Sequence, residues 1–218
     1  MAAMRLLVAL VLNLACCVVT ARSPPVLPRQ FQADLAVVSH LTDPRKSYPP
    51  STREMKIHYD FDQQLARAHV VSGYDAGKTF VRRYDQKREY MVKHGRYAKC
   101  ERAYLGETMP TPAIPFPQEF VGMESVRGKS CEHWVHTYSN VRVHVYADEH
   151  SKVPIRLTEE NFVGDQPTMM LTYDLLNVRV GPQDLSDFAI PDGYAHKNCT
   201  RSVSGFPYIH AFHYYLRF

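Results

Sequence analysis

The chain has 218 residues, of which 45% are hydrophobic and 22% charged, a balance that excludes a disordered, collagen-like or coiled-coil protein. Its 26 lysines and arginines exceed its 22 acidic residues by a net charge of +4, and they are spread along the sequence. Nucleic-acid binders concentrate basic residues in one patch or helix, so the sequence gives no reason to expect a nucleic-acid partner. The length suits one domain, which would bury roughly 70% of its unfolded surface.

The first 21 residues have the pattern of a secretory signal peptide. Arg5 supplies the basic start, an apolar run follows from residue 6 to residue 19 with one interruption, and small residues precede Arg22. The apolar run is short for a membrane span of about 20 residues, which favours cleavage over a membrane anchor. We therefore expect a secreted protein, or one in the lumen of the secretory–lysosomal pathway, with no transmembrane segment after cleavage.

Cleavage would leave three cysteines, Cys100, Cys131 and Cys199, in an oxidising compartment, and three disulfide pairings are open. We expect the pairing Cys100–Cys199, because Cys131 lies within a predicted strand, where a small buried thiol is ordinary. Asn198 begins the one N-glycosylation sequon, Asn198-Cys199-Thr200. We predict a glycan at Asn198, with which a disulfide at the middle residue of the sequon would compete.

The first half of the mature chain is typical of hairpins rather than helices. Residues 22–30 contain three prolines and form a predicted extended leader. A strand is predicted at 31–38 and a proline-rich loop at 41–52. In residues 55–61 apolar and polar side chains alternate with period two, the mark of a half-buried strand. Further short strands are predicted at 65–71, 78–84, 89–93 and 97–104, at the spacing of an antiparallel meander.

The second half continues the same pattern after a stiff connection. Residues 107–118 hold four prolines, and we expect them to cross the fold rather than to separate two domains. Strands are predicted at 119–126, 130–137, 141–146, 153–158 and 168–178, followed by one short helix within 182–188. Many antiparallel strands with almost no helix indicate a sandwich, a barrel or a strongly curved sheet. We expect a single β domain over residues 31–205.

The last thirteen residues form a predicted aromatic tail, residues 206–218, which holds six aromatic side chains. Such a segment should not be left in water, so it packs on the sheet, adds an edge strand or covers a protein partner.

Most catalytic and metal-binding patterns are absent from the sequence. Cys131 and His133 are two apart on a predicted strand and would share a face, but nothing in the sequence orients the histidine as a base. His133 and His136 are three apart, which on a strand places their rings on opposite faces and suits no metal. His210 and His213 have the same spacing within the tail. We therefore expect no enzymatic activity, no metal and no cofactor.

Several short motifs in the second half occur in the order and spacing of a known family. Val121-Gly122-Met123-Glu124-Ser125 is followed by Gly128 and then by Cys131-Glu132-His133-Trp134. Val153-Pro154-Ile155-Arg156, Phe188-Ala189-Ile190-Pro191, Cys199 and Gly205-Phe206-Pro207 come later in the chain. The pattern resembles the non-catalytic amino-terminal region of certain invertebrate and protist papain-like cysteine proteases, such as the insect two-chain haemocyte proteinase and the amoebal counting factor-associated protein D.

The resemblance implies a LolA-like or ependymin-like fold, which is a curved antiparallel sheet, or half-barrel, with a hydrophobic concavity. Distant relatives of that fold carry lipids or lipoproteins. The proteases in question continue into an inhibitory propeptide and a protease domain, whereas this sequence ends at Phe218. The resemblance therefore carries over no protease activity.

We expect a secreted, non-enzymatic protein that binds a lipid or another hydrophobic small molecule on the concave face of a curved antiparallel sheet. The fold class is mainly β, with at most one or two short helices. Trp134 would share its face with Glu132 and His136 and form a polar-rimmed wall of the pocket. The candidate ligand-binding residues are the alternating apolar side chains of the predicted strands: Met55, Ile57, Tyr59, Trp134, Val143, Val145, Ile155, Leu157, Met169, Leu171 and Tyr173.

Two other hypotheses stay open. The protein could be an interaction module that binds a protease, a receptor or the matrix through the aromatic tail and the sheet edges. It could also be a hydrolase whose site has no recognisable motif, in which case Cys131 is the first nucleophile to test.

Overall fold

A computed structural model describes residues 22–40, 51–113, 117–163, 166–190, 198–203 and 205–206. Two short 3₁₀ helices occur in these residues, at Tyr84–Gln86 and Leu185–Phe188. The strands are β1 (Gln30–Ser39), β2 (Ser51–Asp60), β3 (Leu65–Ser72), β4 (Lys78–Arg83), β5 (Arg88–Lys93), β6 (Lys99–Tyr104), β7 (Glu119–Val126), β8 (Lys129–Tyr138), β9 (Val141–Asp148), β10 (Pro154–Val163), β11 (Gln166–Val180) and β12 (Thr200–Arg201).

The strands form one curved and unclosed sheet in the order β12-β6-β5-β4-β3-β2-β1-β11-β10-β9-β8-β7. Two meanders, β2–β6 and β7–β11, lie on either side of β1, which pairs with β2 and with β11. All pairings are antiparallel except that of β12 with β6, and β12 and β7 form the two edges. The predicted fold class, a mainly β protein with a curved antiparallel sheet and at most one or two short helices, is confirmed. The open, curved sheet has the form of a half-barrel.

The period-two pattern of the strands separates an inner, concave face from an outer, convex face. In β2, Met55, Ile57 and Tyr59 are buried on the inner face, and Lys56 and His58 alternate with them. The inner face carries the main hydrophobic cluster, which collects residues from β1–β5 and β8–β11. Smaller clusters on the outer face surround Phe188 at one end of the sheet and Cys131 at the other. Each face therefore has its own apolar packing.

The turn between β3 and β4 contains two glycines with backbone angles that other residues rarely adopt. Gly73 has φ +85° and Gly77 has φ +80°. A Cβ atom at Gly73 would lie 2.3 Å from the carbonyl oxygen of Thr52, whereas one at Gly77 would meet nothing within 4 Å. Gly73 is therefore required by close backbone approach as well as by its conformation.

Four features differ from the predicted elements. Residues 51 and 52, predicted as loop, begin β2, and β11 extends over 15 residues to Val180. The two-residue strand β12 was not predicted, because a segment of that length carries no periodicity. The predicted leader contains one isolated bridge, between Val26 and Ala113. The signal peptide, residues 1–21, lies outside the described residues.

Candidate functional site

The inner face brings together most of the predicted ligand-binding residues. Eight belong to its buried cluster: Met55, Ile57, Tyr59, Trp134, Val143, Val145, Leu157 and Tyr173. Leu171 is partly buried and packs against the same cluster. They lie on β2, β8, β9, β10 and β11, so residues far apart in the sequence line one apolar surface.

Ile155 and Met169 are separated from this set by irregularities in β10 and β11. The register between β9 and β10 shifts between Pro154 and Arg156, and Ile155 packs on the outer face with Cys131. A second shift places Met169 opposite Glu160, whose carboxylate contacts His144 on the outer face. Directly opposed residues share a face, so Met169 also points outwards.

Sequence reasoning missed a larger part of the inner cluster. Phe31, Ala33 and Leu35 on β1 alternate with polar or exposed positions, and so do Ala66 and Ala68 on β3. Apolar and polar residues alternate with period two in both strands. Several of the apolar positions are alanines, whose small side chains make the alternation hard to recognise in the sequence.

Irregular segments of the chain cover part of the inner face. Leu27 of the leader and Leu105 and Met109 of the connection after β6 are buried in the inner cluster. The leader and the connection are joined by a hydrogen bond from the Leu27 amide to the Pro112 carbonyl, at 3.1 Å. Tyr59 holds the connection against the inner face, because its hydroxyl donates a hydrogen bond to the Pro110 carbonyl at 2.7 Å. Burial raises the pKa of Tyr59, so this hydroxyl stays protonated.

Two polar side chains on the inner wall lack hydrogen-bond partners in the described structure. Trp134 is 3% exposed, and its indole Nε1 has no acceptor. Gln118 immediately precedes β7, and alternation places it on the same side as Phe120, which packs edge to face on Trp134 at 5.4 Å. Both amide atoms of Gln118, Nε2 and Oε1, are buried without a partner. Because a buried polar group without a partner is costly, this part of the wall is suited to a polar ligand atom.

A buried ion cluster lies at the other end of the inner face. Arg82 Nη1 is 2.8 Å from Glu107 Oε1, and Arg82 Nη2 is 3.3 Å from Glu89 Oε2. The Phe206 amide donates to Glu89 Oε1 at 2.8 Å, and the Phe206 ring lies 6.3 Å from that of Phe80. The first residue of the predicted aromatic tail is thus held on the inner face. Residues 207–218 lie outside the described residues.

The outer face contains a chain of two carboxylates and two histidines across β7–β10. His133 Nδ1 is 2.6 Å from Glu124 Oε1, and His133 Nε2 is 2.8 Å from His144 Nδ1. His144 Nε2 lies 3.2 Å from Glu160 Oε2. Burial lowers the pKa of His144, and the contact with Glu160 opposes that effect. Tyr146 stacks on His133 with ring centroids 4.5 Å apart.

Cys131 shares the outer face with His133, but the two do not form a nucleophile–base pair. Both ring nitrogens of His133 contact Glu124 and His144. Burial raises the pKa of the Cys131 thiol, which keeps it protonated and unreactive. His136 lies on the opposite face, as its spacing predicts, with Nδ1 2.9 Å from the Pro117 carbonyl oxygen.

The predicted disulfide between Cys100 and Cys199 is confirmed, and Cys131 is a free, buried thiol. Asn198 is exposed beside this disulfide, and its glycosylation stays a prediction. Within the described ranges, no group of three or more His, Cys, Asp or Glu side chains is arranged to hold a metal ion. The same residues contain no helix long and apolar enough to cross a membrane.

Comparisons with known proteins give a likeness in structure alone. No protein-family model and no curated protein matches the sequence. An uncharacterized conserved protein from Thermus thermophilus is similar at a TM-score of 0.54 and 10% identity, covering 81% of this chain and 92% of that chain. At 10% identity this likeness shows a similar fold and nothing about function.

Two other solved structures are more distant. A LolA superfamily protein from Nitrosomonas europaea gives a TM-score of 0.37 at 9% identity, covering 75% of this chain and 91% of that chain. The Pseudomonas aeruginosa MucA/MucB complex gives 0.46 at 11% identity, covering 74% of this chain and 56% of that chain.

Proposed function

We propose that this protein is a secreted, non-enzymatic carrier or sensor that binds a lipid-like ligand on the inner face of its curved sheet. The observation that carries the proposal is a set of polar atoms on the apolar inner wall that have no partner among the described residues, Trp134 Nε1 and the side-chain amide of Gln118. Buried polar groups normally have partners, so a wall that keeps three such atoms unpaired is suited to a ligand that supplies them.

The chemistry of these atoms defines the ligand class. Trp134 offers one N–H donor, and Gln118 offers an amide with both donor and acceptor capacity. A carboxylic acid, ester or amide head group would satisfy them. The apolar body of the ligand would replace Leu27, Leu105 or Met109 against the inner cluster. Ligand sites of this kind are mostly apolar with a few placed polar groups.

Entry to the inner face requires that a covering segment moves. Residues 22–29 of the leader form no regular strand, and they contact the connection after β6 through one isolated bridge and the Leu27–Pro112 hydrogen bond. Such irregular segments open more readily than paired strands, because fewer interactions hold them. We propose that the leader and the connection are displaced together when a ligand binds.

Secretion is supported by the disulfide and by the amino-terminal sequence pattern. Disulfides persist in oxidising compartments and are rare in the cytosol. The bond Cys100–Cys199 joins residues 99 positions apart and fixes the edge strand β12 to the sheet. An extracellular or secretory–lysosomal location is therefore part of the proposal.

The first experiment is native mass spectrometry of the protein secreted from a eukaryotic host, before and after organic extraction. We expect an additional mass that extraction removes and that fragmentation identifies as a lipid. The chain has a single tryptophan, so energy transfer from Trp134 to dansyl-undecanoic acid reports binding at this wall directly. A clean mass together with no energy transfer up to the solubility limit of the probe would contradict the proposal.

Variants of the wall test the polar contacts. Removing one hydrogen bond costs about 0.5–1.5 kcal/mol, so Gln118→Leu should weaken probe binding by roughly 2–10-fold. Gln63→Leu is the matched control, because Gln63 is exposed in the turn after β2. Trp134→Phe keeps the ring and removes the donor, and calorimetry replaces fluorescence for this variant. Equal affinity of all three variants and the wild type would show that the wall does not hold the head group.

A second candidate function is recognition of a protein through the edge strand β7. This strand ends the sheet, and Phe120, Val121 and Met123 are 38%, 57% and 40% exposed. An extended segment of a protease, a receptor or a matrix protein could add a strand there. The motif around Val121 also underlies our proposal that the chain is related to the amino-terminal region of papain-like cysteine proteases. Val121→Lys should abolish such binding and leave lipid binding unchanged.

A further inference from the structure

The outer face carries a basic hollow of about 470 Å³ between the start of β5, the end of β6 and β12. Four of its seven lining residues are cations, and none is a carboxylate: Gln86, Lys87, Arg88, Arg102, Ala103, Tyr104 and Arg201. Alternation along β5 and β6 places Arg88, Arg102 and Tyr104 on the same face as Tyr90 and Cys100, which belong to the outer cluster.

Strand pairing places like charges directly opposite one another in and beside this hollow. Arg102 on β6 faces Arg201 on β12, and Arg88 on β5 faces Arg83 on β4. Directly opposed like charges destabilise a sheet, so this arrangement costs stability unless an anion balances it. Arg83 has such a partner within the chain, because its guanidinium forms two hydrogen bonds with Asp85, at 2.9 and 2.7 Å.

Three of the cations that line the hollow differ from Arg83 in this respect. In the described part of the chain, Lys87, Arg88 and Arg201 form no ion pair, and all three are exposed. Asp85 and Glu101, which adjoin lining residues in the sequence, pair with other cations, Asp85 with Arg83 and Glu101 with Lys99. The described part of the chain therefore shows no ion pair that balances Lys87, Arg88 and Arg201, which all line the hollow.

The position of Arg201 depends on a well-defined set of covalent and hydrogen bonds. The Cys100–Cys199 disulfide attaches β12 to β6. Thr200 Oγ1 donates to the Cys100 carbonyl at 3.1 Å, and the Ser202 amide donates to the Arg102 carbonyl at 2.8 Å. Arg102 Nε donates to the Cys199 carbonyl at 3.1 Å, which orients its guanidinium beside the hollow. The hollow is thus a built feature rather than a chance meeting of mobile side chains.

We propose that this hollow is a binding site for a compact anion with two or more phosphate or sulfate groups. Arginine binds phosphate and sulfate through paired hydrogen bonds, and lysine adds a point charge. Tyr104, 70% exposed at the rim, offers a ring face against which a sugar or inositol ring packs. The site lies on the outer face and shares no residue with the inner wall, so it stands independently of the proposed lipid site.

The test is calorimetric titration of the full secreted chain with inorganic pyrophosphate at low ionic strength. We expect saturable binding of one pyrophosphate per chain. Arg88→Ala and Arg201→Ala should each weaken it by about 5–10-fold, because each removes one charge-assisted contact at an exposed site. Both side chains are exposed, so the variants should fold, and circular dichroism verifies this.

The matched control is Arg96→Ala, which makes the same change of net charge in the exposed turn between β5 and β6. This turn lies at the opposite end of β5 from Arg88. The strand runs five residues from Arg88 to Lys93, which separates the two ends by about 17 Å. We expect less than a two-fold effect. If Arg96→Ala weakens binding as much as Arg88→Ala does, the attraction is general and the proposed site is refuted. Wild-type affinity in the Arg88→Ala/Arg201→Ala double variant refutes it equally.

A second arm distinguishes the source of the anion. The wild type and the double variant are sedimented with vesicles of phosphatidylcholine containing 20% phosphatidylinositol 4,5-bisphosphate, and with vesicles of phosphatidylcholine alone. Arginine-dependent binding to the first vesicles alone identifies a lipid head group as the ligand. Binding of pyrophosphate without binding of vesicles identifies a soluble anion. Failure of both probes overturns the proposal, and it leaves the lipid site on the inner face untouched.

Discussion

The buried ion cluster on the inner face allows a sharp test of the structure through Arg82. The Arg82 side chain is 8% exposed, and the side chains of its partners Glu89 and Glu107 are 4% and 15% exposed. Arg82→Met keeps an apolar stem of similar length but removes the cation that faces both carboxylates. Breaking a buried ion pair by removing one partner costs about 3–5 kcal/mol, because the remaining charge is left buried without compensation. We expect a loss of this size in the free energy of unfolding.

The neighbouring residue provides the control. Arg83 lies on the same strand and forms a two-pronged ion pair with Asp85, but it points to the outer face, and the two side chains are 31% and 33% exposed. Exposed ion pairs contribute about 0–1 kcal/mol, since water screens them. Arg83→Met should therefore cost several-fold less than Arg82→Met, although the chemical change is identical.

Urea denaturation, followed by the fluorescence of the single tryptophan, measures both losses on one scale. If Arg82→Met costs less than about 1 kcal/mol, or no more than Arg83→Met, the cluster is not buried as described and the reasoning is refuted. A triple variant, Arg82→Met/Glu89→Met/Glu107→Leu, should recover most of the lost stability, because apolar residues of similar volume replace buried ion pairs at little cost.

Three further predictions concern other parts of the fold. Cys100→Ser/Cys199→Ser should lower the free energy of unfolding by about 4–5 kcal/mol, the chain-entropy value for a loop of about 100 residues, and denaturation that shows no loss would contradict it. Gly73→Ala should lower the melting temperature well below that of Gly77→Ala, because only the former brings a Cβ to 2.3 Å from a carbonyl oxygen. Burial lowers the pKa of His144, so the unfolded chain binds the proton more readily. Stability should therefore fall as the pH drops below about 6.5, and the dependence should flatten in His144→Asn.

The strands that could be predicted from the sequence are those whose two faces have different surroundings. In β2, Met55, Ile57 and Tyr59 are buried and their neighbours face outwards, so polarity alternates with the pleat and the pattern identifies both the strand and its inner face. The wall residue Trp134 was found by the same reasoning. Gln118 was not, because it closes a proline-rich connection that carries no periodic signal.

The bulges explain why the candidate site was only partly predicted. Ile155 and Leu157 are two apart on one strand and should share a face, yet a register shift beside Pro154 turns Ile155 outwards. Met169 and Leu171 are separated by a similar shift. An extra residue in one strand leaves the hydrophobic pattern of that strand unchanged, so its position depends on the partner strand and is invisible in the sequence of either strand alone.

The basic hollow, like the bulges, could not be predicted from the sequence. The cations are spread along the sequence, and Arg88 and Arg201 are more than a hundred residues apart. A search for runs of basic residues therefore finds nothing, because the cluster is created by the pairing of β12 with β6 and not by neighbouring residues in the chain. The disulfide was the one long-range link that the sequence indicated, and it is also the link that brings Arg201 to Arg102.

The positions of the two proposed sites follow from the open sheet. The polar wall at Trp134 and Gln118 lies on the inner face beside the edge strand β7, and the hollow at Arg88 and Arg201 lies on the outer face beside the other edge, β12. A closed barrel would have no edge strands. The hollow forms because the edge strand β12 has only two residues and lies beside the longer strand β6. Because the sites share neither residues nor a covering segment in the described chain, a ligand at one has no contact through which to favour a ligand at the other. If both proposals hold, an apolar ligand binds on the inner face and an anion binds on the outer face, each without contact with the other.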